Sequence, residues 1–126
     1  MGPARKIRVL LADDHTIMRE GLASLLREEP DIEVVGEATD GLVSLELARR
    51  HRPDVVVMDI SMPRMNGVEA TRIIMQELPQ TRVVALSMHA HDDMAATMRT
   101  AGARAYVTKG GPLEALMSAI RGTSAQ

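Results

Sequence analysis

The chain has 126 residues, a formal net charge of -2, 45% hydrophobic and 25% charged residues, and no cysteine. That size and balance predict one globular domain, the lack of cysteine excludes a disulfide framework and thiolate chemistry, and the net charge of -2 is unpromising for nucleic-acid binding, which normally shows a concentrated basic face. No run reaches the roughly 18 apolar residues of a membrane span, and the charged start from Met1 to Arg8 lacks the apolar stretch of a signal peptide, so a cytoplasmic location is expected.

The first β-branched run is "IRVLLA", residues 7 to 12, and reads as a strand. A helix follows, carried by Ile17, Met18, Leu22, Leu25 and Leu26 and closed by Pro30-Asp31. "IEVVGEA" (32 to 38) is the second strand, and Asp40 caps a second helix that runs through Leu42, Leu45 and Ala48. After Pro53 the third strand, "DVVVMD" (54 to 59), leads into "ISMPRMNG" and a helix on Val68, Ile73 and Ile74 that stops at Pro79. "RVVALS" (82 to 87) is the fourth strand, and its helix, on Met94, Met98 and Ala101, ends at Gly102. "RAYVT" (104 to 108) is the fifth, followed by a helix on Leu113, Leu116, Met117 and Ile120. Periodicity is lost in "RGTSAQ", and residues 122 to 126 read as the start of a linker.

Strands that alternate with helices, two of them apolar on both faces, predict an α/β fold: a five-stranded parallel sheet, doubly wound, (βα)5. In strand order 2-1-3-4-5, the flavodoxin-like arrangement, a ligand sits beyond the carboxyl ends of strands 1 and 3. Strand 1 ends in Asp13 and Asp14, strand 3 in Asp59, strand 4 in Ser87, and strand 5 runs into Thr108 and Lys109. Singly, each could be a helix cap, a turn residue or a solvated charge. Together, three crowded carboxylates raise one another's pKa unless a cation compensates, and hard oxygen ligands suit Mg²⁺ or Mn²⁺ better than Zn²⁺. Carboxylates, a dication, an ammonium and a hydroxyl make a site for phosphoryl oxygens, and a carboxylate can itself be the nucleophile. Asp59 stands alone on its strand and is the candidate acceptor, with Asp13 and Asp14 as metal holders.

"ADD" after strand 1, "MDISMPRMNG", "LS" and "YVTKG" occur in an order and at spacings that resemble the receiver domain of bacterial two-component response regulators. The resemblance covers residues 7 to about 121, and "VLLADDHTIMREGLASLL" and "GARAYVTKG" are most similar to the subfamily with a LuxR-type (NarL/FixJ-like) helix-turn-helix output domain, which is missing from this sequence. It implies that Asp59 accepts a phosphoryl group from a phosphohistidine on a sensor histidine kinase. It also implies Mg²⁺ on Asp14 and Asp59, with Asp13 helping through water and the Ser61 main-chain carbonyl as a further ligand. Lys109 would neutralise the acyl phosphate, Ser87 would donate to it and move inward, and Tyr106, the only aromatic residue, would swing toward the space Ser87 vacates. The surface of helix 4, strand 5 and helix 5 would then change, controlling homodimerisation or partner binding and so a DNA-binding output.

Two residues depart from the family pattern. Gly110 follows Lys109 where proline with a cis bond is common, which leaves that peptide's isomer open. Met88 stands where a small residue is usual, and its bulk suggests a shield that slows dephosphorylation. Other classes fit less well: a phosphoaspartyl hydrolase wants an acid two residues after its nucleophile, where this chain has Ser61, and no glycine-rich phosphate loop follows strand 1. A switch rather than an enzyme is expected, with a stand-alone receiver acting through protein contacts as the alternative. "MHAHDD" (88 to 93) reads as a polar loop, His15 and His51 as surface residues, and Met62 and Met65 as packing around Pro63.

Overall fold

A computed structural model describes residues 5–88 and 94–122. Its elements are β1 (Ile7–Ala12), α1 (Thr16–Arg27), β2 (Ile32–Ala38), α2 (Gly41–His51), β3 (Val55–Asp59), α3 (Gly67–Glu77), β4 (Arg82–Ser87), α4 (Met94–Ala101), β5 (Ala105–Thr108) and α5 (Leu113–Arg121). The strands form one parallel sheet in the order β2-β1-β3-β4-β5. The doubly wound order expected from the alternation is therefore the observed one. The strands predicted over 54 to 59 and 104 to 108 each begin one residue later. His89, His91, Asp92 and Asp93 lie outside the described residues.

Alternation along the strands divides the core in two. Leu10, Ala12, Val56, Met58, Val83 and Ala85 face α2, α3 and α4, where Leu45, Ala48, Ile74 and Met98 close over them. Val9, Leu11, Val55, Val57, Val84 and Leu86 face α1 and α5, under Ala23, Leu26, Leu116 and Ile120. The three central strands are thus buried on both sides, which explains their near-continuous apolar runs. Met62 is buried in the first cluster and Met65 packs against it, as the turn reading expected.

One helix departs from its expected face. On α1, Ile17 and Leu25 are exposed, and the buried residues are Arg19, Ala23 and Leu26. An i, i+4, i+7 stripe with arginine as its first member rotates the helix away from its most obvious apolar residues. Caps set the helix entrances at the ligand-binding edge. Asp40 accepts the Val43 N–H at 2.9 Å and Asn66 accepts the Glu69 N–H at 3.0 Å. Gly67 opens α3 because a Cβ there would lie 2.2 Å from the Asp59 carbonyl oxygen, so only glycine lets the helix start this close to β3.

Candidate functional site

Because the strands are parallel and end in register, their last residues meet at one edge. Asp59 pairs with Leu86, and Ser87 with Thr108, while the Lys109 N–H donates to the Ser87 carbonyl at 2.7 Å. Lys109 is thereby turned inward with its side chain 1% exposed, its Nζ 3.0 Å from Asp13 Oδ2 and 3.1 Å from Asp59 Oδ2. The Lys109–Gly110 peptide is trans, as are all peptide bonds among the described residues. Asp13 is fully buried and Asp59 is 3% exposed, whereas Asp14 faces outward at the rim. Asp13, Asp59 and Lys109 thus touch directly, with Asp14 beside them.

Burial drives the electrostatics. Loss of solvent pushes the Asp59 carboxyl up to about 6, Lys109 opposes that shift, the neighbouring Asp13 charge adds to it, and the Ser61 N–H opposes it again through a 3.4 Å contact with Asp59 Oδ1. Even so, among the described residues Asp13 Oδ2 and Asp59 Oδ2 are both buried and share the single Lys109 ammonium as their partner. Two such oxygens aimed into one pocket, with one ammonium against three carboxylates, fit a hard dication. Ligand atoms of Asp13, Asp14, His15 and Asp59 all lie within 4.8 Å of one another. An open groove of about 580 Å³, lined by Asp14, Ser61, Pro63, Asn66 and Met94, runs alongside and gives access from solvent.

The loop after Asp59 is held from two sides. Arg64 has φ of 67°, with the Met65 N–H donating to the Pro63 carbonyl at 2.7 Å across it. A left-handed arginine costs roughly 1–2 kcal/mol, and its ion pair with Asp40, 2.9 Å from Nη2 to Oδ2, is what holds it there. Gly41 allows the Met65 carbonyl to pack against the start of α2, since a Cβ would meet that oxygen at 2.0 Å. The Asp59 loop is therefore clamped to the entrance of α2.

Two residues of this edge escaped the sequence reading. Arg19 donates from Nη1 to the Asp13 carbonyl at 2.9 Å and from Nε to Glu37 Oε1 at 3.0 Å. It fastens the end of β1 to the end of β2 and so fixes where Asp13 points. Its phase with Ala23 and Leu26, and an acid late in the β2 sequence, were the available signals. Arg19→Met is expected to lower stability in urea by about 2 kcal/mol, because it leaves the buried Asp13 carbonyl without this donor and takes one of two arginine partners from Glu37, which keeps Arg27; Arg19→Lys should recover only part, having no planar fork. A loss inside about 0.5 kcal/mol would mark the contact as an ordinary surface one.

His15 is the other. It is exposed as expected, but its ring does not point away: Nδ1 lies 3.1 Å from Asp13 Oδ1 and 3.0 Å from Lys109 Nζ. Tyr106 sits half-buried in β5 against the α2–α4 side of the core, opposite Ala85, with its hydroxyl shielded from solvent and without a hydrogen-bond partner among the described residues. Met88, next to Ser87, is 60% exposed. Ser61 is exposed two residues past the end of β3. No helix among the described residues is long and apolar enough to cross a membrane.

The chain is similar to known proteins along most of its length. Residues 9–121 match the family model described as the response regulator receiver domain. The chain is 43% identical over 118 residues to the transcriptional regulatory protein LiaR of Bacillus subtilis, covering 94% of this chain and 56% of that protein. It is 40% identical over 116 residues to the transcriptional regulatory protein DegU of Brevibacillus brevis, covering 92% and 49%. The chain thus spans about half the length of these curated relatives. Among solved structures, the signal receiver domain of the putative response regulator NarL from Mycobacterium tuberculosis superposes with a TM-score of 0.85 at 33% identity, covering 94% of this chain and 99% of that one.

Proposed function

The chain belongs to the response regulator receiver domain family of two-component systems, and from that premise we propose that it is a phosphorylation-dependent switch in which Asp59 accepts a phosphoryl group from a sensor histidine kinase. The observation that carries this reading is the Asp59 carboxylate itself: nearly buried at the end of β3, with Oδ2 3.1 Å from a buried ammonium that it shares with Asp13. Receiving the group means that an Asp59 oxygen bonds to phosphorus as the P–N bond of the phosphohistidine breaks, and the imidazole leaves with its electron pair.

Asp13, Asp14 and Asp59, with the Ser61 main-chain carbonyl, would hold Mg²⁺ or Mn²⁺ at this edge. When bound, the dication neutralises charge on the transferring phosphoryl oxygens. Lys109 already stands where the new negative charge arises, and it exchanges a carboxylate partner for phosphoryl oxygens without crossing the pocket. Ser87, at the end of β4, and Tyr106, on the neighbouring strand, are the switch pair that carries the change to the α4–β5–α5 surface. That surface would govern homodimerisation or docking of a DNA-binding output domain, in keeping with the transcriptional regulators LiaR and DegU, and the switch would act in the cytoplasm. The receiver makes no direct contact with nucleic acid; its net charge of -2 supports that role.

The test is to incubate the protein with Mg²⁺ and a small acyl phosphate and to measure intact mass. One phosphoryl increment is expected, absent in Asp59→Asn; no increment from this donor or from a kinase, or an increment that survives the substitution, would defeat the reading. Met88 directly follows Ser87 and is exposed, and its bulk would hinder water that approaches the phosphoryl group. Met88→Ala is accordingly expected to shorten the life of the phosphorylated state several-fold, as followed by loss of the mass increment with time. An unchanged decay would remove Met88 from the mechanism.

A further inference from the structure

The loop after Asp59 forms one wall of the groove that leads to the phosphoacceptor edge, with Ile60, Ser61, Met62, Pro63 and Asn66 lining it. Arg64 is not part of that lining. Its side chain leaves the groove and reaches the entrance of α2, where Nε lies 3.0 Å and Nη2 2.9 Å from Asp40 Oδ2. Its backbone is the odd feature of the loop. With φ of 67° and the Met65 N–H bonded to the Pro63 carbonyl across it, Arg64 is the centre of a γ-turn of the rare, strained hand. Glycine would adopt that turn without steric cost, so an arginine at its centre points to a use for the side chain. Asp40 is buried and also accepts the Val43 N–H, so the loop is fastened to a capped helix start and not to another loop. At its other end the loop meets the reacting carboxylate. The Ile60 N–H donates to the Leu86 carbonyl at 3.2 Å, the Ile60 carbonyl accepts the Gly67 N–H at 2.8 Å, and the Ser61 N–H lies 3.4 Å from Asp59 Oδ1. Ile60 is therefore fixed, and the orientation of Ser61 depends on the path of the chain from Met62 to Arg64.

We propose that the Asp40–Arg64 pair is a latch that positions the Asp59 loop for phosphoryl transfer, with Arg64 a positioning residue that acts through the main chain of Ser61. The inference rests on the reading of Asp59 as the phosphoacceptor and adds to it the device that holds its loop in place. While the pair is closed, it keeps the γ-turn in its strained form and the Ser61 N–H beside Asp59 Oδ1. When the pair is broken, nothing opposes relaxation of Arg64 to negative φ, and the turn carries Ser61 with it. A 3.4 Å contact is already at the long end for a hydrogen bond, so a small shift removes it. The Ser61 carbonyl, a ligand in the cation reading, moves with the same residue. Loss of the latch therefore disturbs the orientation of the nucleophile and the hold on the cation together, although Arg64 touches neither.

The experiment compares the protein with Arg64→Ala, with Asp40→Ser and with the double variant. Serine still caps α2 at Val43 but leaves Arg64 without its anion, so each single change opens the latch from one side. Three quantities are read: Mg²⁺ affinity by calorimetry, the rate of phosphoryl uptake from a small acyl phosphate at saturating Mg²⁺, and the urea midpoint. Each single variant should bind Mg²⁺ about tenfold more weakly, the low end for loss of a group that orients a ligand. Uptake should slow by about tenfold, well inside the roughly 100-fold that a misplacement of about 1 Å can cost. The double variant should match either single one, because the pair acts as a unit. A contact that only stabilises the fold would move the urea midpoint and leave Mg²⁺ affinity and uptake unchanged, and that result would overturn the proposal. So would losses that multiply in the double variant, or uptake that quickens when the pair is broken. If the unaltered protein is phosphorylated on Asp59 and the variants match it, only this inference falls; if the unaltered protein takes up no phosphoryl group, the phosphoacceptor reading falls and the latch with it.

Discussion

Lys109→Met is expected to lower the stability of the metal-free protein near neutral pH by about 3–5 kcal/mol, the usual cost of removing one partner from a buried ion pair. The reason is the inventory of the pocket. Asp13 and Asp59 are almost wholly buried, and among the described residues Lys109 is the only ammonium that reaches them. Methionine keeps the length and fills the channel, so the loss reports charge rather than a cavity. Without the ammonium the Asp59 carboxyl, already pushed up to about 6 by burial, shifts further upward. The deficit should therefore shrink as pH falls through that value and the carboxyl takes up a proton. Added Mg²⁺ should also restore part of the lost stability, because it supplies the missing positive charge. Urea denaturation with and without Mg²⁺ measures both effects, and a loss below about 1 kcal/mol would mean that the ammonium behaves like a solvated surface charge.

Asp59→Asn should act in the opposite direction, raising metal-free stability near neutral pH by on the order of 2–3 kcal/mol while abolishing phosphorylation. The sign follows from linkage. The Asp59 carboxyl has a folded value of about 6 against 3.8 for the free group, so the folded state holds its proton more tightly than the unfolded chain does. Its contribution to stability is fully present below about 3.8 and is lost as pH rises through about 6. Asparagine removes the titration. The gain of the variant should thus be near zero in acid, grow across that window and level off above it. A variant advantage that is flat with pH, or a loss of stability, would show that burial does not strain this carboxylate. Opposite effects of two adjacent residues are what a site tuned for a missing positive charge should give.

Much of this was legible in the residues because it depends on short-range physics. Short, near-continuous runs of Val, Ile and Leu mark the strands, and Asp40, Pro79 and Gly102 punctuate the helices within one or two residues of where they begin or end. Parallel strands then oblige their carboxyl ends to share an edge, so Asp13, Asp14, Asp59, Ser87 and Lys109 could be gathered without coordinates. Helix faces were less legible. The apolar period of α1 favoured Ile17 and Leu25, but the helix buries Arg19, because the carbonyl of Asp13 and the carboxylate of Glu37 give that guanidinium partners that water would otherwise have supplied. No window of sequence contains those partners together.

His15 shows the same division at the site itself. Its position after two aspartates was visible, but the direction of its ring depends on a hydrogen bond to Asp13 and on an ammonium 94 residues away in the chain. The sequence alone determined which chemical groups this protein brings to the ends of its strands, since apolar strand runs and their alternation with helices are encoded locally. Only the tertiary structure decided how much water each group keeps. Solvent exposure is a property of the packed whole, and it sets the carboxyl of Asp59 at about 6 and turns Lys109 from a loop charge into the buried counter-ion of the pocket.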